Sequence, residues 1–190
     1  PEMEISAQEK KILLKAARES IQSVFVEAAS PSPDYSIYPN LKVNAGAFVT
    51  LTINEKLRGC IGYINSQGTL FETICSAARQ AAFRDPRFRS LSTDELPQIK
   101  IEISVLSPPE SISCYDEIKL GTHGLILEEP DRRALLLPQV ATKNNLNLNQ
   151  FLAALCEKAG LAPEYHMMKK LNIKVFTASI FSESDPDHAD

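Results

Sequence analysis

Residues 57–62 read LRGCIG, a run that holds a guanidinium, a thiol and two glycines. If the run is an extended strand, side chains alternate, so Arg58, Cys60, Gly62 and Ile64 share one face. Leu57, Gly59, Ile61 and Tyr63 share the other. The Cα atoms of Arg58 and Cys60 then lie about 6.6 Å apart. A guanidinium beside a thiol favours thiolate, the nucleophilic form. Gly62 leaves space on the Cys60 face and Gly59 on the opposite one, and strand glycines mark close approach of a ligand or another backbone. The alternative reading is architectural: a buried cysteine often acts as a small hydrophobe, and the glycines then admit a bulge or a tightly packed helix.

Other polar residues could serve such a site. "RQAAFRDPRFRSL" supplies Arg79, Arg84, Arg87 and Arg89 against Asp85. Arg84, Arg87 and Arg89 are candidate clamps for a phosphate or carboxylate. The bland alternative is a solvated face with an Asp85–arginine pair. His123, in Gly121-Thr-His-Gly124, could act as acid or base or simply bond its loop. Gln139, in "LLLPQVA", could reach a ligand or cap backbone groups. Cys60, Cys75, Cys114 and Cys156 form no CxxC pair, and the histidines lack ligand spacing, so no metal and no cofactor is expected.

These residues must be held by regular elements. Ser6–Glu9 and Thr69–Glu72 are capping boxes that open helices, and Ser92–Glu95 resembles a third on a short turn. The first helix is expected to run to about Ala28, with Ile12, Leu13, Ala16, Ile21, Val24, Phe25 and Ala28 along its stripe. The second must stop near Asp85, before Pro86. "AFVTLTI" and "KLRGCIGYI" flank Asn54-Glu55 as a hairpin. In "QIKIEISVLS", Ile99, Ile101, Ile103 and Val105 alternate with Lys100, Glu102 and Ser104, as on a half-solvated antiparallel strand. "GLILEEPDRRALLL" reads strand–turn–strand, "NLNQFLAALCEKAGL" a helix capped by Asn147 and stopped at Gly160, and 172–181 a last strand. Residues 184–190 are expected to be a disordered tail. The mixed order predicts an α+β fold: a mainly antiparallel sheet flanked by helices. A larger lobe comes from both chain ends (1–109 and 169–183), and 110–168 forms a smaller one.

The net charge of −4 disfavours a nucleic-acid backbone as partner. No apolar run approaches the length of a membrane helix and the start lacks signal-peptide character, so a cytoplasmic location is expected.

LRGCIG, followed in order by "AAFRDPRF", "LSTDEL", "IEISVLSPPE", "GTHGLIL", "LLLPQVA" and "FLAALCEKAGL", resembles the AMMECR family, whose prokaryotic members are called AmmeMemoRadiSam system protein A. The resemblance covers about residues 6–183, a single domain. It implies the α+β fold with two lobes, a functional site at Leu57–Gly62, and association with a Memo-like protein and a radical S-adenosylmethionine protein. Where members often carry tryptophan, this chain has Leu146 and Tyr165. Two main readings follow. One is an enzyme or enzyme component acting on a small anionic substrate, with Cys60, Arg58 and His123 in catalytic roles and Gly59, Gly62, Arg84, Arg87 and Gln139 binding substrate. The other is a scaffold presenting the same strand to a partner protein. A nucleic-acid binder ranks below both, and the oligomeric state is left open.

Overall fold

The computed structural model describes residues 4–27 and 31–185. Helix α1 spans Ala7–Gln22, and Ser6 and Glu9 cap each other reciprocally. It stops short of the expected end. Past Gln22 the backbone tightens into turns, with Val24 N–H bonded to Ile21 and Phe25 N–H to Gln22. The Ser23 hydroxyl bonds the Ser20 carbonyl and so competes for helical backbone. Val24 is therefore exposed rather than part of the stripe, while Phe25 still meets Phe83 edge-on. Ala28 lies outside the described residues.

Strand β1 (Ala47–Ile53) and strand β2 (Lys56–Tyr63) form the expected hairpin. Asn54 and Glu55 both have positive φ, as a two-residue turn of matching twist requires. Helix α2 (Leu70–Phe83) has its capping box and ends before Pro86. Its buried alanines, Ala77, Ala78, Ala81 and Ala82, let the helix sit close to the sheet. Strand β3 (Lys100–Leu106) pairs antiparallel with β1. Ile99, Ile101, Ile103 and Val105 enter the core as the alternation predicts, and Ser104 on the other face is buried too.

Strand β4 (Glu110–Ser111), strands β5 (Gly124–Glu129) and β6 (Arg132–Leu136), short helix α3 (Pro138–Lys143), helix α4 (Leu148–Lys158) and short helix α5 (Tyr165–Met168) follow. The stretch 172–181, expected as one strand, is two: β7 (Ile173–Phe176) and β8 (Ala178–Ser182). Between them Thr177 leaves the ladders and exchanges hydrogen bonds with Ser107.

The strands form two four-stranded sheets, in orders β2-β1-β3-β8 and β4-β7-β5-β6. Every pairing with a described register is antiparallel, so the fold is α+β as expected. The chain divides into two compact units. One runs to Leu106 and resumes at Ser179; the other is Ser107–Ala178. In the first, α1 and α2 cover β1 and β3 through Leu13, Ile21, Ile74, Val49 and Ile101. In the second, α4 buries Phe151, Leu152 and Leu155 with Leu125, Leu127 and Val175. Leu146 and Tyr165 pack half-buried at the edge of that second core. At the C-terminus, Asp185 accepts the Ser182 N–H, so the expected tail begins with an ordered turn; residues 186–190 lie outside those described. Among the described residues no helix is long and apolar enough to cross a membrane.

Candidate functional site

The LRGCIG strand carries a β-bulge. Ile53 pairs with Lys56 and Thr52 with Leu57, but Leu51 pairs with Gly59, leaving Arg58 as the extra residue. A regular hairpin from the same turn would set Cys60 opposite Val49, whose side chain is fully buried. The bulge moves every later residue of β2 by one position, and a one-residue slip exchanges faces. Cys60 thus stands opposite Thr50, and Thr50 stands opposite Glu102 of β3. The result is a thiol–hydroxyl–carboxylate row on the sheet face away from the helices.

Geometry at the thiol follows from the pairing. The Cys60 N–H points to Asp85 Oδ2 at 2.9 Å, away from β1. Thr50 and Cys60 are therefore a non-hydrogen-bonded pair, the kind in which side chains approach most closely. Cys60 Sγ lies 3.2 Å from Thr50 Oγ1. Cys60 is half-buried, whereas Cys75 and Cys156 are buried and Cys114 is exposed. Burial pushes the Cys75 and Cys156 thiols up.

The strict alternation expected of Arg58 and Cys60 does not survive the bulge, and Arg58 has a different partner. Its Nε and Nη2 meet the two Glu95 oxygens at 2.7 and 3.1 Å, and Nη2 also bonds the Arg89 carbonyl at 3.0 Å. Both side chains are largely buried. The Arg58 guanidinium holds the Glu95 carboxyl down to about 2. Arg58 Nη1 is buried and has no hydrogen-bond partner. The Ser92–Glu95 box is only half made: Glu95 accepts the Ser92 N–H, but the Ser92 hydroxyl turns to the same carboxylate rather than to backbone.

Arg87 lies beside the thiol's own backbone. Asp85 takes its N–H, Nε and Nη2, and Nη2 also lies 3.5 Å from the Cys60 carbonyl oxygen. Those contacts bring Asp85 down to about 2, and its carboxylate in turn raises Arg87. The Arg87 side chain remains 55% exposed, so it can meet a ligand as well as Asp85. Phe88 lies near both guanidinium groups, with centroid distances of 5.8 Å to Arg58 and 5.5 Å to Arg87. Arg84 is exposed at the end of α2, where its N–H bonds the Gln80 carbonyl.

Neither glycine stands beside open space. A Cβ on Gly59 would meet the Ala81 carbonyl oxygen of α2 at 2.1 Å. One on Gly62 would meet Ala47 O at 2.3 Å and the Phe48 ring at 2.4 Å. Gly59 is thus a backbone-approach glycine, and the Phe48 ring occupies the room that Gly62 leaves.

His123 and Gln139 belong to the second unit. His123 Nδ1 accepts the Lys119 N–H at 3.0 Å, and its own N–H returns to the Lys119 carbonyl, closing the turn before β5. Burial, with Lys119 nearby, lowers its pKa. Gln139 is half-buried in the first turn of α3, with its Oε1 buried. Among the described residues no group of three or more His, Cys, Asp or Glu could hold a metal ion.

Thr50, Glu95 and Phe48 are the site neighbours that sequence reasoning did not single out. Only Glu95 left a trace, as the last residue of an apparent capping box.

The AMMECR1 family model matches residues 14–181. A protein of Methanosarcina mazei is 39% identical over 92% of this chain and 91% of its own length. One from Saccharolobus islandicus is 40% identical, over 95% of this chain and 84% of its own. The crystal structure of the uncharacterized protein PH0010 from Pyrococcus horikoshii superposes with a TM-score of 0.86 at 34% identity, over 96% of this chain and 95% of that one.

Proposed function

The chain belongs to the AMMECR1 family, and we propose that its LRGCIG strand is the thiol site of an enzyme or enzyme component that acts on a small anionic substrate. The carrying observation is the bulge at Arg58. It turns Cys60 out of the core and onto a polar face, beside a guanidinium pinned at Arg87. In this reading Cys60 is the thiol and Arg87 the accessible cation. Arg58, bound to Glu95 and with its Nη1 buried and without a hydrogen-bond partner, supplies a second positive charge on the same strand. A Memo-like protein and a radical S-adenosylmethionine protein are the chain's working partners, as the family resemblance implies.

A second reading has its own support. β2 is an edge strand, and Gly62, in register with Cys60, turns its N–H and C=O outward. A partner protein could pair there as an added strand.

Alkylation separates the two. With iodoacetate (anionic) and iodoacetamide (neutral) as probes, each thiol's rate ratio is read by mass spectrometry. The thiol-site reading expects a higher iodoacetate-to-iodoacetamide ratio at Cys60 than at exposed Cys114, reduced by Arg87→Gln. Equal ratios at the two cysteines, unchanged by Arg87→Gln, would leave the edge-strand reading in possession.

A further inference from the structure

We infer that Thr50 is a positioning residue for the Cys60 thiol, aiming its sulfur and stabilising its anion through the side-chain hydroxyl. The inference rests on the thiol-site reading above and adds to it a residue on a different strand. The thiol does not stand alone there. It shares its face with the Thr50 hydroxyl, and Arg58, nearly fully buried, keeps an unpartnered donor two residues earlier on the same strand.

Sγ and Oγ1 are 3.2 Å apart, and either atom can be the donor. While the sulfur is protonated, its S–H can point to Oγ1. Once the proton has gone to solvent or to a substrate atom, the Thr50 hydroxyl can rotate and donate to the sulfur anion, because a hydroxyl is both donor and acceptor. On β1, Val49 and Leu51 turn to the core, and Thr50 stands directly opposite Cys60. Threonine is also β-branched, so its χ1 is stiff in a strand and its hydroxyl is already aimed.

Charged groups around the row set the need for such a donor. Glu102 stands across from Thr50 on β3, and a carboxylate opposes a second negative charge nearby. Lys100 follows two residues earlier on the same face of β3. From the loop after α2, Asp85 and Arg87 face the Cys60 backbone and largely compensate each other. Thr50 is the uncharged group between the thiol and Glu102.

The test measures iodoacetamide alkylation of Cys60 across pH in the full chain, with exposed Cys114 as the internal control. Thr50→Val keeps the branched shape and removes the hydroxyl; Thr50→Ser keeps the hydroxyl. Thr50→Val is expected to slow Cys60 at neutral pH by about fivefold, the worth of one ordinary hydrogen bond. It should move the midpoint of the rate profile upward and converge with the parent protein at high pH, where every copy is ionised. Thr50→Ser should restore most of the rate. Cys114 should be unchanged throughout, and thermal melts should confirm that both variants fold. The inference is overturned if Thr50→Val leaves the profile in place, if it slows Cys60 equally at every pH, or if Thr50→Ser behaves like Thr50→Val. A Cys60 that in the parent protein reacts no faster than buried Cys75 and Cys156 would instead remove the thiol-site reading itself.

Discussion

Asp85 Oδ2 accepts the Cys60 backbone N–H at 2.9 Å, and Arg87, held by the same carboxylate, reaches the Cys60 carbonyl oxygen. Two side chains thereby stand in for a neighbouring strand. β2 is an edge of its sheet, and edges with open N–H and C=O groups invite unwanted pairing. This clamp closes the edge at the residue whose thiol is proposed to work, and it ties the strand to the loop that ends α2.

Replacing Asp85 should open that edge. Asp85→Ala removes a 2%-exposed carboxylate that serves a strand N–H and an arginine, and should cost about 2–3 kcal/mol in urea unfolding. Asp85→Asn retains one oxygen and should cost less. The specific readout is hydrogen exchange of the Cys60 amide, which should accelerate in Asp85→Ala. Unchanged protection there would mean that something other than this carboxylate holds the strand edge.

The Arg58–Glu95 pair should respond asymmetrically. Glu95→Ala strands a buried guanidinium and should destabilise by about 3–5 kcal/mol. Removing both charges, as in Arg58→Met with Glu95→Leu, should be milder than Glu95→Ala alone. A double variant at least as unstable as the single one, by chemical denaturation, would show that the pair contributes net stability rather than mutual compensation.

Much of this frame is legible in the sequence, and the site is legible only in part. Reciprocal caps at Ser6, Thr69 and Asn147 are local, and so is the turn at Asn54-Glu55. Alternation in β3 needs no partner to be read. The bulge is different, because a period of two looks the same on either side of an inserted residue; only the pairing of Leu51 with Gly59 reveals it. Arg58 could not be matched to Glu95 from the chain, since the two are distant in sequence and Glu95 already fitted a capping pattern. The division of 172–181 into β7 and β8 is hidden likewise: the apolar alternation runs on while Thr177 turns to Ser107.

Acid should weaken the fold through the same two carboxylates. Asp85 and Glu95 both lie near about 2 in the folded protein, against ordinary values of 3.8 and 4.5. Because the folded values are the lower ones, the stabilisation is fully present above the ordinary values and is lost as pH falls toward the folded ones. The loss that these two carboxylates cause in the urea midpoint should fall between about pH 4 and 2, below the range near 6.5 in which His123, with its lowered pKa, begins to weaken the fold. In an Asp85→Asn, Glu95→Gln protein the drop should be shallower. An equally steep drop in that protein would assign the acid sensitivity to other carboxylates.

The two glycines of LRGCIG should behave as packing residues. A Cβ on Gly59 falls 2.1 Å from Ala81 O, and that oxygen belongs to the backbone of α2. To relieve it, the helix must move from the strand, and with it Ala77, Ala78 and Ala82. Gly59→Ala should therefore cost about 1–3 kcal/mol, the range for overpacking. Gly62→Val meets a side chain and a backbone together: the Phe48 ring at 2.4 Å can turn away, but Ala47 O at 2.3 Å and Phe48 Cα at 2.6 Å cannot. Gly62→Val should thus destabilise the protein rather than merely block access to Cys60, and adding Phe48→Ala should restore only part of the loss. The check is a comparison of melting temperatures for Gly59→Ala, Gly62→Val and the Gly62→Val, Phe48→Ala pair. Full stability in Gly62→Val would mean that β1 and β2 can spread at this point, and the space beside Cys60 would then count as room for a ligand.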